Sequence, residues 1–387
     1  MTTGCYWLVL VAACGGSTAA VPDAPPGVAI SQCSVDVHQH FAGNVDFAAA
    51  APAMLATMDA LGIRTALVMP PPQEALSVGT PGGAHYDYLD ASAGGGPSLS
   101  DLVRDNPDRF ALVAGGGLLN PLIHEAVLAG QPVSDSQLDQ LEDMAKTILA
   151  DGAKGFGELA VLHLSFLETH AFMSIPADHP MVLRLASVAA EHGVPLDIHL
   201  EAVERATVAV PDEFLPTTPM GGHCFMGPNN NPDAVTNNIA GFERLLDHSY
   251  QAACATGDCD RARIVWSHVG WDNVGDLDVD LVARLIADHP NLYPSLKLLD
   301  QPSFCQLADN RPLADLDGDA AYDTIQANWS ALIAANPQRF VLGSDEFFGD
   351  GIGAPSTNGT WAVLGYLDPD TQRAIACDNP CRLYNLR

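Results

Sequence analysis

Six side chains in this sequence are of the types that share a bound cation: His38, His40, Glu158, His199, His268 and Asp345. Imidazole nitrogens and carboxylate oxygens together suit Zn²⁺ and, less selectively, Mn²⁺, Fe²⁺ or Co²⁺. Position unites them, because each closes a short apolar run. His38 and His40 end the run 35–40 and lie two apart, so strand alternation sends both to one side. Glu158 closes 153–159, His199 closes 195–200, His268 closes 263–268, and Asp345 follows 340–344. A single histidine at a strand end is usually a packing or hydrogen-bonding residue. Six such groups at the ends of five strands are not explained that way, since unpaired polar groups are costly to bury. A divalent cation among them would bring the pKa of its water down to about 7 and polarise a carbonyl or phosphoryl oxygen.

The elements that must position these residues alternate in type. Apolar, β-branched runs predict strands at 35–40, 64–69, 110–115, 153–159, 195–200, 263–268, 292–298 and 340–344. Helical spacing predicts helices at 51–61, 99–106, 136–150, 179–192, 236–255, 277–288 and 322–335, with a helical tail over 361–383. Eight such units in alternation predict an α/β fold of one closed (β/α)₈, or TIM, barrel spanning 34–387. The longest connections, 70–97, 160–178, 201–235 and 299–319, all follow strands, which puts them on the face where barrel active sites are built. No internal repeat and no Gly-rich phosphate loop interrupts the pattern.

With the ligands placed, a resemblance is visible. Val35-Asp36-Val37-His38-Gln39-His40-Phe41 resembles the strand-one His-x-His signature of the amidohydrolase superfamily. Arg339-Phe340-Val341-Leu342-Gly343-Ser344-Asp345 resembles its strand-eight Asp signature. Asp378-Asn379-Pro380-Cys381-Arg382-Leu383-Tyr384 is similar to the closing helix of the amidohydrolase-related branch. The resemblance implies that His38, His40 and Asp345 hold a buried metal and that His199 and His268 hold a second, or that His268 stands beside substrate. Many superfamily members bridge two metals with a carboxylated Lys on strand four; here that place resembles the TatD-type Glu, occupied by Glu158. On this reading Asp345 moves the proton from water to leaving group and His268 orients the oxygen under attack. The chain then reads as a metal-dependent hydrolase of an ester, lactone, amide or related bond in a small molecule. Its alternatives are a metal-dependent decarboxylase of the same branch and a non-catalytic binding lipoprotein.

Other residues carry weaker signals. Lys154, four residues below Glu158, reads as an interior ion-pair partner of Asp36 or Asp197. Lys297, one of only three lysines, could meet an anionic substrate, and Glu201 could support His199 or touch substrate. Trp266, Trp271 and Phe347 flank ligands and could wall an apolar pocket. His223 reads as a surface histidine, and Asp315-Leu316-Asp317-Gly318-Asp319 as a solvated acidic turn whose Gly is misplaced for an EF-hand.

Composition sets the boundaries. Lys+Arg is 17 against Asp+Glu 47, a formal charge of -30, which excludes a nucleic-acid or anionic-membrane docking surface built on basic clusters. No apolar run reaches the roughly 18 residues of a membrane span. Residues 6–13 are apolar and lead into Cys14, resembling a lipobox that would make Cys14 lipid-bearing, with a linker over 15–33. This predicts an exported periplasmic or cell-surface lipoprotein that touches membrane only through its anchor and could form homo-oligomers. Beyond Cys5 and Cys14 seven cysteines remain, and Cys254/Cys259 and Cys377/Cys381 are close enough in sequence to close local loops in an oxidising compartment.

Overall fold

Every residue of the first strand, Val35–Phe41, is buried, as befits a stave packed on both faces. The computed structural model describes residues 33–74, 86–165, 171–211, 214, 231–298, 314–315, 324–325, 327–349, 351 and 353–386. The signal-like segment with Cys14, most of the linker, His223 and residues 316–319 of the acidic turn lie outside these.

Two sheets make the barrel. Strands Val35–Phe41, Thr65–Val68 and Phe110–Leu112 form one with Glu346–Phe348 at its edge, and all pairs are parallel. The other runs Ala114–Gly115, Phe156–His163, Leu196–Leu200, Ile264–Val269, Leu292–Leu296 and Val341–Leu342, again parallel. The sheets join through two strands, each broken once. Phe110–Leu112 belongs to the first sheet and Ala114–Gly115 to the second, and Val113 donates between them to Val68 O at 3.1 Å. Likewise Val341–Leu342 and Glu346–Phe348 flank Asp345, whose N–H donates to His38 O at 2.8 Å. These joints close the eight-stranded barrel.

Alternation divides the apolar residues between two cores. Val35, Val37, Leu67, Met69, Ala111, Val113, Val265 and Val341 fill the interior, sealed below by Leu383 and Tyr384 of the last helix. Their neighbours, among them Phe41, Val68, Phe110, Ile198 and Trp266, pack outward against the helices. Trp266 therefore walls no pocket; its Nε1–H donates to Leu200 O at 3.0 Å and its ring meets Phe242. Close approach demands glycine at Gly343, where a Cβ would come 2.9 Å from that of His38.

Several boundaries differ from expectation. The fourth strand runs Phe156–His163, so Glu158 lies near its start and the strand continues five residues further. Helix Leu119–Ala129 is an additional element that no side-chain N-cap announces. The tail is already helical at Pro355–Ala362 and breaks at Leu367, where Asp368 caps a new helix through the N–H groups of Asp370 and Thr371. Cys254 and Cys259 are bonded as their spacing suggests. Cys381, however, is bonded to Cys33 rather than to Cys377, because barrel closure brings the start of the first strand against the last helix.

The acid excess has a measurable consequence. Self-repulsion destabilises the compact state, and salt cuts its range from about 30 Å at 0.01 M to about 3 Å at 1 M. The thermal midpoint should rise across that range; a constant midpoint would mean that the -30 charge is already dispersed harmlessly.

Candidate metal centre

The strands bring all six expected ligands to one rim. Glu158 lies at its centre and divides its oxygens between two groups. Oε2 is 3.3 Å from His38 Nε2 and 3.3 Å from His40 Nε2. Oε1 is 2.6 Å from His199 Nδ1 and 2.9 Å from His268 Nε2. Asp345 completes the first group, with Oδ1 3.2 Å from His40 Nε2 and 3.9 Å from His38 Nε2.

For His40 the far side of the ring fixes which nitrogen faces inward. His40 Nδ1 is 2.8 Å from the Met69 carbonyl, a bond only an Nδ1–H can make, which leaves its Nε2 lone pair facing Glu158 and Asp345. His38 Nδ1 is 3.6 Å from Asp197, and His199 Nε2 is 3.6 Å from Glu201. Such carboxylate and carbonyl partners orient metal-bound histidines and raise their basicity. Asp197 is itself held by the Ser267 hydroxyl, and Glu201 by the side-chain and backbone N–H groups of Asn273.

Two of the six residues adopt left-handed backbone conformations, with φ of 64° at His268 and 52° at Asp345. For non-glycine residues this costs about 1–3 kcal/mol each and persists only where the surroundings impose it. One such constraint is visible. Asp36 accepts from the His38 and Ser344 N–H groups at 3.2 and 3.1 Å, and from Ser344 Oγ and Trp361 Nε1 at 2.7 and 2.8 Å. It thereby ties the strand bearing His38 and His40 to the residue before Asp345. Asp36 thus faces the helical layer. Neither it nor Asp197 pairs with Lys154, which corrects the expected ion pair.

Charges within the cluster are strongly coupled. Burial would push Glu158 up, but His38, His199 and His268 hold it well below the usual carboxylate range. Burial likewise opposes ionisation of Asp345, yet Lys297, His268 and His40 keep it well below its ordinary value. His268 is driven down to about 4 by burial, so its imidazole is neutral at pH 7. His199 goes the other way: burial lowers it, but Glu158 and Glu201 outweigh this and push it up to about 9. In metal-free protein the His199–Glu158 pair should therefore contribute stability that is complete below about pH 6.5 and lost as pH rises through about 9. Melting chelator-treated protein from pH 6 to 10 checks this, since a flat profile would remove the pairing. Metal must displace the same proton, so its affinity should fall as pH drops.

These donors fit a divalent cation. Ligand atoms of His38, Glu158, His268 and Asp345 lie within 4.8 Å of one another, and His38 Nε2 faces His40 Nε2 at 3.0 Å. Two imidazole nitrogens turned towards each other beside two carboxylates make a donor set that a shared cation satisfies. Around it, Phe347 stacks on His40 at 4.5 Å, and Lys297 reaches Asp345 Oδ2 at 2.5 Å with its Nζ 5.2 Å from the Trp271 ring centre. His163, not singled out in the sequence, ends the fourth strand 4.4 Å from the His199 ring. Five residues from Glu158, simple alternation puts it on the opposite face. A register shift between Ala160 and Leu162 reverses that parity.

A family model described as amidohydrolase matches residues 133–386. No curated protein matches the chain. Among solved structures, an apo protein of Agrobacterium tumefaciens is 12% identical, with 92% of this chain and 97% of that one covered and a TM-score of 0.44. A TatD homologue from Escherichia coli is also 12% identical, over 92% of this chain and 100% of its own, with a TM-score of 0.45. A spore coat polysaccharide biosynthesis protein of Bacillus subtilis is 9% identical over 91% and 68%, with a TM-score of 0.37.

Proposed function

This chain belongs to the amidohydrolase family of metal-dependent enzymes, and on that premise we propose that it hydrolyses an ester, lactone, amide or related bond in a small organic molecule, with divalent metal that His38, His40, Glu158, His199, His268 and Asp345 would hold. The observation that carries the reading is the division of the Glu158 oxygens, Oε2 towards His38 and His40 at 3.3 Å and Oε1 towards His199 and His268 at 2.6 and 2.9 Å. On it, His38, His40 and Asp345 would hold one ion, and His199 and His268 a second, with Glu158 between them. Mixed imidazole and carboxylate donors favour zinc, ahead of manganese, iron or cobalt.

When bound, such ions lower the pKa of water and polarise the oxygen of the bond to be cleaved. The remaining work falls to the protein. Asp345 accepts the proton of the attacking water and passes it to the leaving group. Were a single ion bound, His268 would instead stand beside substrate and orient the oxygen under attack. Lys297 holds the second oxygen of Asp345 and offers its remaining N–H groups to an anionic part of the substrate, while Trp271 and Phe347 supply apolar walls.

Metal analysis of purified protein, followed by an ester, lactone and amide panel in ¹⁸O-water, tests the reading. Two equivalents per chain and one ¹⁸O atom in the product support it. Release of CO₂ without water uptake would replace hydrolysis by decarboxylation. The apolar run ending at Cys14 supports a further proposal, export with a lipid on Cys14. Mass analysis of the mature N-terminus decides it, since an unmodified Cys14 within the intact chain would exclude the anchor.

A further inference from the structure

Beneath the barrel, opposite the metal centre, three sulfurs converge. Cys33 directly precedes the first strand, Cys377 lies in the wide turn Ala374–Asp378, and Cys381 follows in Asn379–Leu383. Their Sγ atoms all lie within 4.8 Å of one another. Cys33 and Cys381 are bonded, and Cys377 is a buried free thiol. Buried cysteine often serves only as a small apolar side chain. Here it packs within reach of both sulfurs of a disulfide, the arrangement thiol–disulfide exchange requires. Arg373 and Asp378, paired at 3.3 Å, are the charged groups around it.

We propose that Cys377 exchanges into this disulfide. Its thiolate attacks Cys381 Sγ, a Cys377–Cys381 bond forms, the Cys33–Cys381 bond breaks, and Cys33 leaves as a thiolate that takes up a proton. One disulfide is consumed and one is made, so no oxidant or reductant enters. Residues four apart on a helix have Cβ atoms about 5–6 Å apart, wider than the roughly 3.5–4.5 Å of a disulfide, so forming this local link requires the wide turn Ala374–Asp378 to tighten. A bond spanning 348 positions is thereby exchanged for one within the last helical segment. Cys33, at the start of the strand of His38 and His40, is then no longer tied to the last helix. The site is independent of the catalytic reading above.

The test uses the full chain, purified without reductant and held at about pH 8.5, then trapped with N-ethylmaleimide in mild acid and mapped by mass spectrometry. The expected result is a Cys377–Cys381 isomer alongside Cys33–Cys381, with Cys33 labelled at least about tenfold more than in Cys377→Ser. Cys254–Cys259 serves as the internal standard. Cys33–Cys381 as the sole floor disulfide in wild type, whether or not Cys377 is labelled, overturns the proposal. So does a bond from Cys33 to Cys377 or to any other cysteine. Because isomers are mapped in wild type, the test survives a Cys377→Ser chain that does not fold.

Discussion

Asp345→Asn should keep the fold and most bound metal but lower kcat by about 10²–10⁴-fold, the range a positioned proton-transfer group contributes. Asparagine retains one oxygen for the cation and cannot accept a proton. The carboxylate is offered in a fixed direction, with Oδ1 3.2 Å from His40 and Oδ2 2.5 Å from Lys297. Its backbone is equally constrained, at φ 52° with its N–H bonded to His38 O. Substitution therefore removes the proton acceptor without freeing the chain. Steady-state kinetics with metal content and circular dichroism on one sample separate the effects, and turnover equal to wild type would remove Asp345 from proton transfer. A fall in metal content parallel to activity would instead make it a ligand alone.

Glu158→Gln should have the larger effect, because one carboxylate faces four imidazoles. Without metal, losing the charge removes the main partner that keeps His199 protonated against burial and leaves the pair broken. Breaking a buried pair from one side costs about 3–5 kcal/mol. On the two-ion reading proposed above, Gln replaces a charged oxygen by an N–H₂ group that cannot bind a cation, so content should drop from two equivalents to one or fewer. Urea unfolding in chelator at pH 7 reads the first effect and metal analysis the second. Two equivalents retained in Glu158→Gln would remove Glu158 from the metal site.

Much of this centre is legible in the chain itself. Each ligand closes an apolar run short enough to be a strand, and eight runs alternating with helical spacing leave few architectures open. Placing six ligands on one rim then needs only the rule that active sites lie at the carboxyl ends of barrel strands. His38 and His40 share a side because they are two apart, a property of one strand alone.

What the sequence could not decide is whatever depends on pairing with a distant neighbour. The expected ends of the fourth strand hid both the central place of Glu158 and the presence of His163. The parity of the fourth and sixth strands is reset by register shifts, between Ala160 and Leu162 and between Trp266 and Val269. Asp36 left Lys154 for Ser344 and Trp361, partners some three hundred residues away. Cys381 took Cys33 over its near neighbour Cys377 for the same reason. By itself the sequence determined the types and order of the six side chains that meet at the rim and the strands that carry them, because side-chain chemistry and periodicity are local. Only the tertiary structure decided which oxygen of Glu158 meets which histidine and what ties the chain's two ends together, because bulges and barrel closure are settled between strands rather than within them.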